Sequence, residues 1–269
     1  DGCQALVKAL FLDSSSLNKK VKLTAANSIN WTRCMAQSVY FFWSYLSLKE
    51  VENKLTFSIP SGNFGNSFAG WTAKQMGLPI RRILVATNTN DTLYKVFANR
   101  TYAKGTVKKT LAPSMDISVA SNLERLLFYL LDQNTEDLSR LMTNFPAKDI
   151  FIPRESLNII EGFFKSLPTN DDEIIEEIKS TLQNYNYLID PHTATGLRTA
   201  NKLCEEDETV VVMSTAHPAK FPDVLRMVDS RNKTTLPDQL KDIENRKEVF
   251  TELPNNLGDV RNYIVSALK

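Results

Sequence analysis

Phe57-Ser-Ile-Pro-Ser-Gly-Asn-Phe-Gly-Asn-Ser-Phe-Ala-Gly-Trp-Thr-Ala-Lys-Gln-Met-Gly77 is the stretch whose reading decides the fold. An apolar run ends at Pro60, a loop from Ser61 to Asn66 follows, and small and apolar residues then keep helical spacing as far as Gly77, which suits a left-handed C-terminal cap. The order is strand, glycine turn, helix. Gly62 and Gly65 can take positive φ and let backbone N–H groups approach a ligand closely. The helix behind them presents its unsatisfied N-terminal amides and the positive end of its dipole. Such a turn is either a tight connection or an anion cradle, and the loop alone leaves both readings open.

Working outward, Arg81 to Ala86 and Thr209 to Met213 read as short, β-branched, nearly continuous apolar strands, the pattern of parallel strands covered on both faces. Helical stretches separate them. The expected class is α/β, an open, largely parallel sheet flanked by helices. Ligands of such sheets bind beyond the carboxyl ends of the strands, where three motifs stand: Ser61 to Asn66, Thr87 to Asp91 and Ser214 to Phe221. Gly62, Asn88 and Thr215 are therefore expected around one cleft. Elsewhere, Cys3, Leu6, Val7, Leu10 and Phe11 form one face of a helix, Lys22 to Ala26 reads as a short strand, and Asn30 can cap a helix from Trp31 to about Leu48. Within that helix, Val39-Tyr-Phe-Phe-Trp43 is too broadly apolar for a surface and is expected in the core or in a subunit contact. Leu131 to Asn184 reads as a solvated helical insertion with acidic amphipathic stretches at Thr135 to Asn144 and Asp171 to Gln183. A charged tail follows, with a helix near Asp259 to Leu268.

With 269 residues, 42% of them hydrophobic and 23% charged, the chain can bury a sizeable core. A net charge of +1 supplies no global field for nucleic acid or an anionic membrane, so any anion specificity is local. Three widely spaced cysteines, Cys3, Cys34 and Cys204, make neither a disulfide framework nor a metal-ligand pair and point to a reducing, cytoplasmic setting. No apolar run approaches membrane-span length. The first residue is Asp1, and it leads almost directly into a helical pattern, so an upstream part is expected to be missing. The two histidines, His192 and His217, fall just outside the expected regular elements. Each reads as a hydrogen-bonded structural histidine or as a cleft residue. No carboxylate or second histidine stands at ligand spacing on a helix, so no metal site is expected.

Asn27-Ser-Ile-Asn-Trp31, Pro60-Ser-Gly-Asn-Phe-Gly-Asn66, Gly77-Leu-Pro-Ile-Arg-Arg82, Ala86-Thr-Asn-Thr-Asn-Asp91, Ser114-Met-Asp-Ile117, Asp190-Pro-His-Thr-Ala194 and Ser214-Thr-Ala-His-Pro-Ala-Lys-Phe221 occur in this order. Together they resemble the C-terminal portion of threonine synthases of the bacterial and fungal type. The resemblance implies a fold type II pyridoxal 5'-phosphate enzyme (tryptophan synthase β-like). It also implies conversion of the small-molecule substrate O-phosphohomoserine and water to L-threonine and phosphate. It implies that Gly62, Asn63, Phe64, Gly65 and Asn66 hold the cofactor phosphate through backbone amides and that the Thr215 hydroxyl, otherwise a turn cap, faces the pyridine nitrogen. Asn27, Ser28, Asn30, Asn88, Asp91, His192, His217 and Lys220 are the implied substrate-side or cleft residues. The implied division is 1–30 as the end of a small domain, 31–230 as a large cofactor-binding domain with a variable insertion at 131–184, and 231–269 as a surface tail.

The sequence departs from the family at one point. The Schiff-base lysine of the family stands in a Phe-Lys-Asp motif, and none occurs here; Phe164-Lys165-Ser166 lacks the acid and the surroundings, and Lys220 matches another motif. The catalytic lysine is therefore expected in the missing N-terminal part of the same protein, and these 269 residues alone are expected to be inactive. Two alternatives stand beside threonine synthase: a related phospho-lyase giving 2-oxobutyrate, and a truncated, non-catalytic binding module.

Overall fold

Every residue of Leu55–Pro60 is buried, and this strand is the one around which the larger part of the chain is assembled. The computed structural model describes residues 2–13, 23–48, 55–158, 160–229, 236–238 and 241–267. In chain order the elements are α1 (Gly2–Leu12), α2 (Trp31–Ser47), β1 (Leu55–Pro60), α3 (Gly65–Gln75), β2 (Ile80–Thr87), α4 (Thr92–Asn99), β3 (Thr101–Tyr102), α5 (Leu123–Leu130), α6 (Thr135–Met142), β4 (Ile150–Phe151), α7 (Arg154–Asn158), β5 (Phe164–Pro168), α8 (Asp171–Tyr185), α9 (Pro191–Leu203), β6 (Thr209–Val212), α10 (Pro222–Val228) and α11 (Leu257–Ala267). They fall into two units, Trp31–Thr234, and Asp1–Asn30 with Thr235–Lys269.

In the larger unit the strands lie in the order β5-β2-β1-β6. All three pairings are parallel, with Phe57 opposite Ile83 and Val211, and Ile83 opposite Phe164. Alternation along β1 divides the helices between two faces. Phe57 and Ile59 join Phe41, Phe68, Trp71 and Ile83 in one apolar cluster under α2 and α3. On the other face the Ser58 hydroxyl donates to the Gly196 carbonyl of α9 at 2.6 Å. A second cluster, with Met115, Ile174, Ile178, Ala194 and Val224, fills the space among α8, α9 and α10.

Four expectations are corrected. Residues 23–25 form no strand, and Lys22 lies outside the described residues. Of Val39 to Trp43, expected in the core or in a subunit contact, only Phe41 is fully buried within the chain, whereas Val39, Tyr40 and Trp43 are exposed, so the core alternative fails for them; a helix on a sheet can bury one stripe only. Strand β6 is half-buried with Thr209 exposed, because it forms the edge of the described sheet. The segment 131–184 carries the acidic helices α6 and α8 as expected, but it also supplies β5, so Phe164-Lys165-Ser166 is a sheet strand and not part of a solvated insertion. The alternation of β5 is too short to stand out between helical patterns.

At the amino ends of the strands, Arg82, almost buried, pairs with the buried carboxylate of Glu208 and with Glu205 at 2.7 Å, and Arg81 reaches Glu208 at 2.9 Å. This ties β2 to the loop that leads into β6. In the smaller unit, Arg261 of α11 donates to Asp13 just beyond α1 at 2.7 Å. No described helix is long and apolar enough to cross a membrane.

The close approach of α3 to the sheet depends on Gly70. A Cβ there would sit 2.7 Å from both the Ile83 Cδ1 and the Phe41 Cε1 atoms. Gly70→Ala should cost about 1–3 kcal/mol of stability through overpacking. A urea midpoint equal to that of the parent protein would contradict this packing.

Candidate functional site

The turn after β1 is built by one left-handed residue. The Ser61 amide extends the parallel ladder to the Ala86 carbonyl at 2.9 Å, after which Phe64 adopts φ 64° and ψ 5° and α3 begins at Gly65. Neither Gly62 nor Gly65 has positive φ, contrary to expectation. Phe64 carries the reversal because its side chain is held in the core, with ring centroids 5.8 Å from Phe97 and 5.6 Å from Phe164. Gly62 is needed for a different reason. A Cβ there would lie 3.1 Å from the Ile117 Cδ1 atom, the Met115 Cα atom and the Ser114 carbonyl oxygen. The turn is thus pressed against the backbone of 114–117.

Helix α3 starts with the Phe68 amide bonded to the Phe64 carbonyl at 2.9 Å, and among the described residues no side chain caps the amides before it. The first-turn N–H groups of Gly65, Asn66 and Ser67 therefore face out at the positive end of the helix dipole. Far along the same helix the expected left-handed cap is present. Gly77 has φ 100°, and the amides of Gly77 and Leu78 close back on Lys74 and Ala73 at 3.0 Å each.

The wall of the turn is polar and tightly bonded. Asn122 precedes α5, yet its side chain does not cap that helix. Both its backbone amide and its Nδ2 donate to the Asn63 carbonyl, at 3.1 and 2.9 Å. Its Oδ1 faces the Cys34 thiol at 3.6 Å, and burial raises the pKa of that thiol. Asn66 donates to Gln37 at 3.2 Å, while its buried Oδ1 has no partner among the described residues. Asn88, fully buried, donates to the Thr110 hydroxyl and to Asp116 at 2.8 Å each, and Asn90 also donates to Asp116, at 3.0 Å. Asn88 is thereby fully engaged in holding the 108–116 loop. Asp91 is paired with Lys95 at 2.8 Å on the half-exposed side of α4.

His192 lies inside the first turn of α9, not outside a regular element as expected. It is buried, with Nδ1 3.0 Å from Asp190 Oδ1 and Nε2 accepting from the Ser114 amide at 3.1 Å. The carboxylate orients the ring, and the ring fixes the Ser114 turn that presses on Gly62. Asp190 also caps α9 through the His192 amide at 2.9 Å and takes a bond from the Thr193 hydroxyl. The Thr193 hydroxyl in turn faces Ser214 Oγ at 3.5 Å.

The loop after β6 leaves the sheet at the same edge as this turn. Val212 pairs with Ser58 and the Met213 amide donates to the Ser58 carbonyl at 2.9 Å, so the parallel chains run out side by side toward Ser61 and Thr215. Thr215, His217 and Lys220 are exposed beyond that edge, and the His217 Nδ1 atom accepts from the Ala219 amide at 3.2 Å. Asn27, Ser28 and Asn30 belong to the smaller unit. There Asn27 accepts from the Ile29 amide at 3.0 Å, and Asn30 turns back to the Ala25 carbonyl at 3.2 Å. The role of Asn122 had no sequence signal beyond an asparagine before a helix. Asp116 and Asp190 stand inside motifs already singled out, but their contacts join segments far apart in the chain.

Burial by itself would raise the Asp190 carboxyl, but the bonds from the His192 ring, the Thr193 hydroxyl and the His192 amide outweigh it and hold the group below its ordinary value. A carboxylate depressed in the folded state adds stability above its unfolded pKa of about 4 and loses it as pH falls through the lower folded value. Asp190→Asn should therefore destabilise the protein near neutrality, and the gap should close as pH drops below about 4. Urea midpoints measured at each pH check this, and a constant gap would contradict the linkage.

Known proteins carry the same framework. The family signature described as "Threonine synthase, C-terminal" matches residues 193–264. Threonine synthase of Pseudomonas aeruginosa is 40% identical over 98% of this chain and 56% of its own length, and that of Schizosaccharomyces pombe is 38% identical over 95% and 56%. A crystal structure of PLP-bound threonine synthase from Brucella melitensis superposes with a TM-score of 0.88 at 39% identity, covering 99% of this chain and 57% of that one. The chain thus spans a little over half the length of the relatives it matches, and its parallel sheet flanked by helices is the fold type II architecture. Over nearly all of its residues the chain is similar to threonine synthases, and residues 193–264 match the C-terminal signature of that family.

Proposed function

We propose that the protein carrying this chain is a threonine synthase that binds pyridoxal 5'-phosphate and converts O-phosphohomoserine and water to L-threonine and phosphate. The observation that carries the reading is the Phe64 turn. A turn anchored by the buried Phe64 ring brings the first-turn amides of Gly65, Asn66 and Ser67 to the carboxyl edge of the sheet, with no protein side chain capping them among the described residues. A phosphate ester fits that donor set, since several backbone N–H groups and a helix dipole favour a dianion without a dedicated cation.

When bound, the cofactor supplies the electron sink that makes carbon-bound protons of an amino acid acidic. The chain's own residues bind and orient. In this reading the backbone of Gly62, Asn63, Phe64, Gly65 and Asn66 grips the phosphate. The Thr215 hydroxyl would serve as a neutral partner for the pyridine nitrogen. Asn88 and His192 shape the wall by holding the 108–116 loop and the Ser114 turn. His217 and Lys220, exposed after β6, remain substrate-side candidates, as do Asn27, Ser28 and Asn30. Asp91 is already paired with Lys95, which leaves it less able to meet a substrate. The Schiff-base lysine of the family has no Phe-Lys-Asp counterpart among the 269 residues, so the chemistry requires the part of the family's length that this chain does not span.

Two outcomes are expected. In protein that includes the lysine, Gly62→Val should push the turn away from the Ser114 carbonyl and weaken cofactor binding by about tenfold or more, roughly 1.4 kcal/mol. Lys165→Ala, on β5, should leave it unchanged. Equal affinity of the Gly62 variant and the parent, followed by cofactor fluorescence, would count against the cradle. Second, the 269-residue chain alone should release no phosphate from O-phosphohomoserine; turnover by a sample of verified intact mass would overturn the assignment of the lysine to another segment.

A further inference from the structure

A second pocket opens at the opposite edge of the sheet. It has a volume of about 430 Å³ and is lined chiefly by Phe97, Arg100, Arg154, Ile160, Glu161 and Phe164. Topology produces it. Helix α4 runs back from the carboxyl edge, so its last turn arrives where β5 begins at Phe164. The five residues of β5 separate this edge from the other by roughly 16 Å.

The apolar wall is set before any ligand arrives. Phe97 and Phe164 stack with centroids 5.0 Å apart, Phe64 touches both, and Trp71 stands 6.0 Å behind Phe164. A preformed wall removes much of the ordering cost of binding. The rim is cationic. Arg100 is placed there by a left-handed backbone with φ 59°, Gly162 of the same lining has φ 79°, and Arg154 opens α7. Both arginines are exposed residues, and neither guanidinium makes an ion pair among the described residues. Glu161 is the single carboxylate of the lining, so two positive charges face one negative. Planar guanidinium forks match carboxylates in a bidentate manner.

We propose that this pocket binds a small organic carboxylate with a flat apolar body. The acid group sits between Arg100 and Arg154, the body lies on Phe97 and Phe164, and the site is separate from the cofactor cradle.

Phenylacetate is a suitable probe, with 2-phenylethanol as its uncharged counterpart, titrated into the purified protein by calorimetry or saturation-transfer NMR. Saturable phenylacetate binding is expected, with 2-phenylethanol at least about fivefold weaker. The double variant Arg100→Gly, Arg154→Met should weaken phenylacetate by at least about fivefold, glycine being chosen because the backbone at 100 is left-handed. Glu161→Gln, which removes the like charge, should tighten it, and this arm does not depend on the double variant folding. Absence of saturable binding, a smaller effect in a folded double variant, or unchanged affinity in the Glu161 variant would overturn the proposal.

Discussion

Phe64 holds a backbone conformation that a bulky residue adopts only when packing enforces it, and the carboxyl edge of the sheet is arranged around that constraint. The left-handed angle costs about 1–3 kcal/mol. Full burial of a phenylalanine ring is worth a similar amount, about 1.5–3 kcal/mol, so the contacts with Phe97 and Phe164 are of the size needed to offset the strain. The consequence is directional. With Phe64 locked from below, the chain enters α3 at one angle, and the amides of Gly65, Asn66 and Ser67 point where an anion can be met. A glycine at 64 would relieve the strain and lose the anchor.

Above the aromatic layer lies a layer of bonded polar groups whose task is to hold backbone. Asn122 grips the Asn63 carbonyl, Asn88 and Asp116 close the 108–116 loop, and Asp190 orients His192 toward the Ser114 amide. Each of these side chains is used up by its neighbours, and satisfied networks of this kind make a wall rigid. This divides the polar residues of the site by physical role. The buried ones hold backbone around the turn, and the ones after β6, Thr215, His217 and Lys220, are exposed. His192, which the sequence left open as a structural or a cleft histidine, belongs to the first set.

Much of this was legible in the order of residues. Apolar runs located β1, β2 and β6, Gly77 marked the end of α3, and the acidic periodicity located α6 and α8. The ordered motifs led to the family. The errors have a common cause. Strand β5 was hidden because five residues carry too little alternation to compete with helical patterns on either side, and the exposure of Tyr40 and Trp43 was hidden because composition reports apolarity without direction.

The sequence by itself determined the local geometry and the chemistry on offer, since period, turn residues and side-chain type depend on neighbours a few positions away. Only the tertiary structure decided which residue would reverse the chain and which polar groups would be spent on support. Two glycines were free to take positive φ, yet Phe64 took it, because aromatic partners 33 and 100 positions further along the chain, Phe97 and Phe164, could hold its ring while the backbone at 114–117 required Gly62 to be small. Strain is settled by the contacts that offset it, and those contacts exist only once distant segments meet.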